Sequence, residues 1–194
     1  MPKRQRIGAA SGILAPILAF TCILTSIASY SQFSWTNNAL SDLGVIPGAT
    51  GPLFNFGLYA SGFLAFIFAL FGLYPFISKN WLGKTGAAIF AAATLALISI
   101  GVFNESFSPT HYLVSIAFFT LMPIALFLIA GAFAFNHKTK MALLTLLTGT
   151  AAAAPWILYF AIQYVPGEAI PEFLSGLAGA IWIISLAYKI LTEN

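Results

Sequence analysis

The chain alternates six long apolar stretches with short polar segments. A helix needs about 20 apolar residues to cross roughly 30 Å of hydrocarbon, and each of these stretches reaches that length. Breaks at proline, glycine and charged residues place the predicted spans at residues 7–30, 53–77, 81–103, 109–133, 141–164 and 171–191. The pattern therefore predicts an all-α, polytopic membrane protein in which residues 1–194 form a single membrane domain.

Composition supports this prediction, since 60% of the residues are hydrophobic and only 7% are charged. A soluble domain of this length needs far more polar surface. The first apolar stretch follows a basic start, as the core of a secretion signal does. It is about twice as long as such a core and has no clean small-residue cleavage site, so we expect an uncleaved first span.

The distribution of charge predicts the orientation of these spans. Basic residues stay on the cytoplasmic side of short loops, because moving them across the membrane during insertion is unfavourable. With a cytoplasmic N terminus, an even number of crossings returns all the basic residues to that side, namely Lys3, Arg4, Arg6, Lys79, Lys84, Lys138, Lys140 and Lys189. The acids on the outer side are then Asp42, Glu105, Glu168 and Glu172, with Glu193 in the inner tail. We therefore expect both termini in the cytoplasm and a location in the cell membrane.

The net charge of +3 follows from this orientation and does not indicate nucleic-acid binding. No basic patch is interleaved with aromatic residues, so we expect no nucleic-acid partner. Membrane lipids are the expected partners, including anionic headgroups of the inner leaflet. The single cysteine, Cys22, lies in the middle of the first span, which excludes an intrachain disulfide and a cysteine-based metal cluster.

Small residues and prolines within the spans predict how the helices pack. Small residues at short spacings let helix backbones approach closely, and they occur at Gly8 and Gly12, at Ala87 and Ala91, and at Gly176 with Gly179 and Ala180. Prolines in a span free a carbonyl that the bundle must satisfy, and they occur at Pro16, Pro123 and Pro155. Such prolines are compatible with a hinged transporter and with a shaped pocket.

The first outer loop, residues 31–52, is too apolar to be a solvated linker. We expect it to fold back onto the outer face of the bundle and to hold Asn38, Ser41 and Asp42 near the membrane boundary. Buried polar groups must be hydrogen-bonded or ion-paired. One interpretation is therefore structural: Ser41 and Asp42 cap a short helix or turn that ends at Gly44.

The second outer loop contains Asn104 and Glu105 and leads into the fourth span. Ser108 followed by Pro109 is typical of a helix start, with serine as the N-cap and proline at the first helical position. His111 then falls in the first turn of that helix. Its ring could bind a metal, accept a proton, or serve only as a hydrogen-bonding group at the interface.

Asp42, Glu105 and His111 come from two loops on one face and form the predicted catalytic site. Two carboxylates and one imidazole could bind Zn²⁺ or another divalent metal and leave a position for water, whose pKa the metal would lower. Without a metal, Glu105 or Asp42 could be a general base with His111 as its partner. Asn38, Ser41 and Asn104 are predicted to bind substrate. The remaining outer acids, Glu168 and Glu172, are interpreted as solvated surface.

Two pairs of segments carry a resemblance to known families. They are Asn38-Ala-Leu-Ser-Asp-Leu-Gly44 with Phe54-Asn-Phe-Gly57, and Phe103-Asn-Glu105 with His111-Tyr-Leu-Val-Ser-Ile-Ala-Phe-Phe119. Over nearly its full length the chain resembles the domain-of-unknown-function 998 family of small prokaryotic multi-pass membrane proteins. The same segments are distantly similar to the Frag/DRAM/Sfk family, which is linked to glycolipid-anchor remodelling and lysosomal membranes.

The resemblance implies that Asn38, Ser41, Asp42, Gly44, Asn104, Glu105 and His111 occupy motif positions of the first family. The same segments also resemble the alkaline ceramidase and progestin-receptor superfamily, whose members carry Asn, Ser, Asp and His residues around zinc near one membrane face. The three-histidine zinc set of those enzymes is missing, because the second histidine, His137, is predicted to be cytoplasmic. Carboxylates would have to replace two of the ligands.

Three functions are compatible with these observations. The first is a lipid-directed hydrolase or transferase at the outer leaflet, because ionisable groups on an apolar membrane face are costly and typical of function. The second is a transporter or a lipid-binding protein, although the second, fourth and fifth spans have no ionisable residue near their centres. The third is a structural or assembly protein in which these side chains tie the loops together.

Overall fold

The computed structural model describes residues 1–77 and 80–192, and within them the chain is helical with no strand. Six helices are long and apolar enough to cross a membrane, which makes the chain a multi-pass membrane protein and confirms the predicted fold class. They are α1 (Lys3–Ser29), α2 (Thr50–Ile77), α3 (Trp81–Val102), α4 (Thr110–Phe135), α5 (Thr139–Ile162) and α6 (Ala169–Thr192). Each matches a predicted span to within a few residues.

Two departures from regular α-helix shape the bundle. Helix α2 changes from α-helix to π-helix over Phe68–Leu73 and returns to α-helix at Tyr74. Short 3₁₀ turns form in two connections, at Ser41–Val45 and at Glu105–Phe107. The first of them is the predicted short helix near Gly44.

The helices form a closed ring of antiparallel neighbours, because each packs on the next in the chain and α6 returns to α1. Hydroxyls of Ser29 and Thr50 lie 2.9 Å apart where α1 ends and α2 begins. The indole of Trp182 on α6 donates to Thr145 on α5 at 3.1 Å. Where α6 packs on α1, the Phe173 ring meets the Phe20 ring edge to face, with centroids 5.3 Å apart.

This alternation separates the charges between two ends of the bundle. What we call the basic end holds Lys3, Arg4, Arg6, Lys84, Lys138, Lys140 and Lys189, and the acidic end holds Asp42, Glu105, Glu168 and Glu172. Lys79 and Glu193 lie outside the described residues. The positive-inside rule assigns the basic end to the cytoplasm, and the location of the termini stays a prediction.

The core of the ring is closed by an aromatic cluster in the half nearer the basic end. Phe68, Phe90 and Trp182 pack edge to face, with centroid distances of 5.0 to 6.4 Å. Trp182 and Phe68 are fully buried. This geometry is the favoured one for aromatic rings, and the cluster seals the interior below the level of the acidic end.

The predicted small-residue packing is confirmed for α1 and wrong for part of α6. A Cβ added to Gly8 would lie 2.6 Å from the backbone carbon of Phe71, so α1 and α2 touch there without a side chain between them. Cys22 is buried and packs against Gly57, as expected of a small packing residue. A Cβ added to Gly176, in contrast, would lie 3.8 Å from its nearest neighbour, a ring atom of Phe20. It borders an open space in the ring.

Gly8→Ala should destabilise the protein by about 1–3 kcal/mol, because the added methyl overpacks a backbone contact that no side chain can relieve. The measurement is thermal unfolding in detergent. Gly131→Ala is the matched control, since its Cβ would meet only the Leu82 side-chain end at 3.7 Å. Equal melting temperatures for the two variants would contradict the close approach of α1 and α2.

Candidate functional site

The first loop, between α1 and α2, folds back onto the acidic end as predicted. Leu40 and Leu43 are buried and pack in a cluster with Phe54 from α2 and Ile100 from α3. Burial is not uniform, because Trp35 is 38% and Val45 is 42% exposed. The loop is therefore anchored through its middle, just before and within the 3₁₀ turn.

Asp42 holds the residues that lead into this turn. One of its carboxylate oxygens accepts hydrogen bonds from Asn38 Nδ2 at 2.7 Å and from the Ala39 backbone N–H at 3.0 Å. Both donors precede Asp42 in the chain, so the carboxylate fixes the approach to the 3₁₀ turn. The predicted capping role of Ser41 and Asp42 was wrong, because no side chain caps the 3₁₀ helix. Asp42 instead holds the residues before the turn, and Ser41 bonds to Glu105.

Backbone and side-chain bonds tie the same loop to the start of α6. Glu172 accepts a hydrogen bond from the Leu40 N–H at 2.5 Å. The N–H groups of Gly167 and Ala169 donate to the carbonyls of Thr36 and Asn38, each at 2.8 Å. The prediction that Glu172 is solvated surface was wrong, because its carboxylate satisfies a loop N–H that the fold removes from water.

Glu168 was also predicted to be solvated, and it is only partly exposed. Burial raises the pKa of its carboxyl above the ordinary value, and the nearby carboxylates of Glu105 and Asp42 raise it further. The acids of the acidic end therefore act on one another, which places them in one electrostatic site.

The two loop motifs meet at Ser41 and Gly44. Ser41 Oγ donates to Glu105 Oε1 at 2.7 Å. The Gly44 carbonyl accepts from Asn55 Nδ2 at 2.8 Å and from Asn104 Nδ2 at 3.4 Å. The predicted substrate-binding residues Asn38 and Asn104 are thus engaged in holding the loops, and Ser41 is bonded to Glu105.

His111 lies in the first turn of α4, as predicted, and is buried. Its Nδ1 is 2.7 Å from the Phe103 carbonyl oxygen. Because a carbonyl only accepts, Nδ1 carries the proton, and Nε2 of the neutral ring is an acceptor. Nε2 faces the Ser115 hydroxyl at 3.5 Å.

The predicted start of this helix was wrong by one residue. Helix α4 begins at Thr110, with Pro109 as N-cap and no side-chain cap bond, so Ser108 does not cap it. The Ser108 N–H instead donates to the Glu105 carbonyl at 3.1 Å and closes the second 3₁₀ turn.

An acidic cleft of about 540 Å³ opens between the start of α4, the end of α5 and the start of α6. Its polar wall consists of Ser41, Glu105, Ser108, His111, Ser115, Thr120, Glu168 and Glu172. Its aromatic wall consists of Tyr112, Phe119, Trp156 and Phe160. No described Lys or Arg lines it, whereas Asp42 lies outside its wall and acts on it through space.

An apolar cavity of about 140 Å³ lies beside the cleft, inside the ring. Helices α1, α2, α3, α4 and α6 line it, and it reaches Phe90 and Ile183 near the aromatic cluster. Pro16 and Gly176 also border it. The cleft and the cavity share four wall residues, Ser41, Ser115, Phe119 and Glu172. The two spaces therefore adjoin between α4 and α6.

Trp156 in the cleft wall has an unused donor. Its indole nitrogen is buried and has no hydrogen-bond partner among the described residues. Its ring packs against Phe119 and Phe160, with centroids at 4.8 and 5.9 Å. Buried donors are nearly always paired, so this nitrogen is an exception to that rule.

Sequence reasoning missed three of these residues, namely Ser115, Trp156 and Glu172. The four-residue spacing of His111 and Ser115 could have indicated a shared helix face. Nothing local could have indicated the bond between Glu172 and Leu40, which lie 132 residues apart. Among residues 1–77 and 80–192, no three His, Cys, Asp or Glu side chains are grouped so as to hold a metal ion. The zinc set of Asp42, Glu105 and His111 stays a prediction.

A family described as protein of unknown function, DUF998, matches residues 13–189. No curated protein and no solved structure matches the chain. The matched segment runs from within α1 to near the end of α6 and contains every residue of the cleft and the cavity. The similarity to the Frag/DRAM/Sfk family stays a prediction. The chain belongs to the DUF998 family of membrane proteins.

Proposed function

We propose that this protein binds one amphipathic lipid molecule at its acidic end, with the apolar chain in the cavity and the head in the cleft. The observation that carries the proposal is the shared wall of the two spaces. A polar space joined to an apolar one matches a molecule with both characters. By the positive-inside rule, the ligand comes from the outer leaflet.

The cavity fits a hydrocarbon chain because its lining is almost entirely apolar, with few polar side chains below the shared wall. A lipid chain gains little by moving from bilayer to protein, since lipid tails are as apolar as leucine. Selectivity and most of the affinity must therefore come from the head, where the protein presents hydrogen-bonding and charged groups.

The cleft favours a cationic or neutral head over an anionic one. Three acidic side chains, those of Glu105, Glu168 and Glu172, line it together with four aromatic residues. An ammonium group is attracted both by carboxylates and by the faces of aromatic rings, tryptophan above all. A phosphate or sulfate without its own cation would be repelled by the ionised carboxylates of the cleft.

The same geometry favours binding over transport. The cavity ends at the level of Phe90, where the cluster of Phe68, Phe90 and Trp182 fills the ring. The described acids lie at the acidic end, so a bound cation has no second acidic site beyond that cluster. Passage to the basic end would require the most buried part of the core to open.

Gly176→Leu should reduce binding by about tenfold or more, corresponding to about 1.4 kcal/mol, because the side chain grows into the cavity. The probe is a long-chain alkyltrimethylammonium with a photoreactive diazirine on its chain, added to protein in phosphatidylcholine nanodiscs. Crosslinks are located and quantified by mass spectrometry.

Gly131→Leu is the matched control, because its Cβ also has room and Gly131 does not border the cavity. Crosslinks on cavity residues should persist in this control. Equal crosslinking in the two variants would show that the chain does not occupy the cavity and would reject the proposal.

Charge selectivity should weaken as the pH falls. The carboxyl of Glu168 has a raised pKa, so its negative charge is lost at a higher pH than that of an ordinary glutamate. Competition for the photoreactive probe is measured over pH with an unlabelled alkyltrimethylammonium, an alkyl sulfate and a neutral alkyl glucoside of one chain length. The preference for the cation over the sulfate should decline as pH falls through the raised pKa of Glu168.

Glu168→Gln should show a smaller preference for the cation over the sulfate at neutral pH. The decline of this preference that comes from protonation of Glu168 should be absent in this variant. The glucoside is the internal control, because its head carries no charge and its competition should change little with pH. Identical pH profiles for the wild type and Glu168→Gln would exclude Glu168 from the head-binding site.

A further inference from the structure

We propose that Ser115 is a nucleophile activated by His111, and that the protein hydrolyses an ester in the lipid it binds. This inference rests on the proposed binding function and adds a reaction to it. The substrate class is a carboxylic ester with a long acyl chain and a cationic or neutral alcohol as its head.

The first observation is the pairing of Ser115 with an imidazole nitrogen. Other helical serines donate to backbone carbonyls. Ser11 and Ser185 donate within their own helix, to Ile7 and Ile181, and Ser26 and Ser175 donate to a neighbouring helix. The Ser115 hydroxyl faces His111 Nε2 at 3.5 Å. A nucleophile and its base are often this far apart before a substrate is bound.

The second observation is that the imidazole is held in the tautomer that this reaction requires. The Phe103 carbonyl accepts a hydrogen bond from Nδ1 at 2.7 Å. In the neutral ring the Nε2 lone pair then faces Ser115. Helix α3 ends at Val102, so the carbonyl of Phe103 lies beyond its last turn and is free to take this bond. The orienting group here is a backbone oxygen in the place where other such sites use a carboxylate.

The third observation is the position of Ser115 at the junction of the two spaces. Ser115 lines both the cleft and the cavity. With the acyl chain in the cavity and the head in the cleft, the ester carbonyl of the ligand lies at this junction.

The reaction balances with water as the only other reactant. Ser115 Oγ bonds to the ester carbon while its proton passes to His111 Nε2. The bond from that carbon to the head-group oxygen then breaks, and the departing alcohol takes the proton from His111. Water from the cleft attacks the acyl-serine, giving its proton to His111, and the carboxylic acid leaves as Ser115 recovers its proton.

The test uses a long-chain alkyl fluorophosphonate, which forms a stable bond with an activated serine. Full-length protein in nanodiscs is treated with the probe, and the labelled peptide is identified by mass spectrometry. Labelling should occur at Ser115, vanish in Ser115→Ala and persist in Ser185→Ala, whose serine lies on an exposed helix face. His111→Asn keeps a donor for the Phe103 carbonyl and should slow labelling by roughly 100-fold or more.

Labelling that is absent from Ser115, or no faster there than at Ser185, would overturn the inference. If His111→Asn does not fold, the comparison of wild type with Ser115→Ala still decides it. The photoreactive alkyltrimethylammonium separates this failure from failure of the binding proposal. Wild-type protein that crosslinks this probe in the cavity but is not labelled at Ser115 by the fluorophosphonate would overturn the reaction and leave the binding proposal standing.

Discussion

The acidic end is organised by the docking of the first loop onto the start of α6. The bond from the Leu40 N–H to Glu172 joins the loop to α6, and backbone bonds from Gly167 and Ala169 extend the contact. Backbone groups at an apolar membrane boundary must find such partners inside the protein. The docked loop places Leu40 and Ser41 over the cavity and brings Ser41 to Glu105. Without this contact the cavity would lose its cover, and the cleft would lose one wall.

Neutral groups donate the hydrogen bonds that Asp42, Glu105 and Glu172 accept at the acidic end. Asp42 accepts from an amide side chain and a backbone N–H, Glu105 from a serine hydroxyl, and Glu172 from a backbone N–H. These bonds hold the three acidic side chains in place, and none of the donors brings a positive charge. Burial is the main cause that raises the pKa of Glu168, and repulsion from Glu105 and Asp42 raises it further. A cationic head group would relieve this repulsion, so the fold and the proposed ligand preference have one cause.

The sequence was sufficient for properties that depend on length and composition, and insufficient for those that depend on distant contacts. Six apolar stretches longer than the hydrocarbon thickness leave little alternative to six spans. His111 was placed correctly because a helix-start signal precedes it within a few residues. Glu172 was misplaced because its flanking residues, proline and glycine among them, are those of a solvated turn, and only the returning loop removes it from water. Ser115 was overlooked because one serine in an apolar helix has no signal of its own until the tautomer of its neighbour is known.

The proposed reaction gives His111 a chemical role beside its structural one, and both roles depend on the same bond. By donating from Nδ1 to the Phe103 carbonyl, the ring satisfies an acceptor just beyond the end of α3 and ties that helix to α4. The same donation fixes the tautomer and leaves Nε2 free to accept. A purely structural histidine would need only the first effect, and its second nitrogen could face any acceptor or donor. Here Nε2 faces a hydroxyl at the junction of a polar and an apolar space. Structural tying of the loops is therefore compatible with the proposed lipid-directed reaction, because the bond that ties α3 to α4 would also orient His111 as the proposed base.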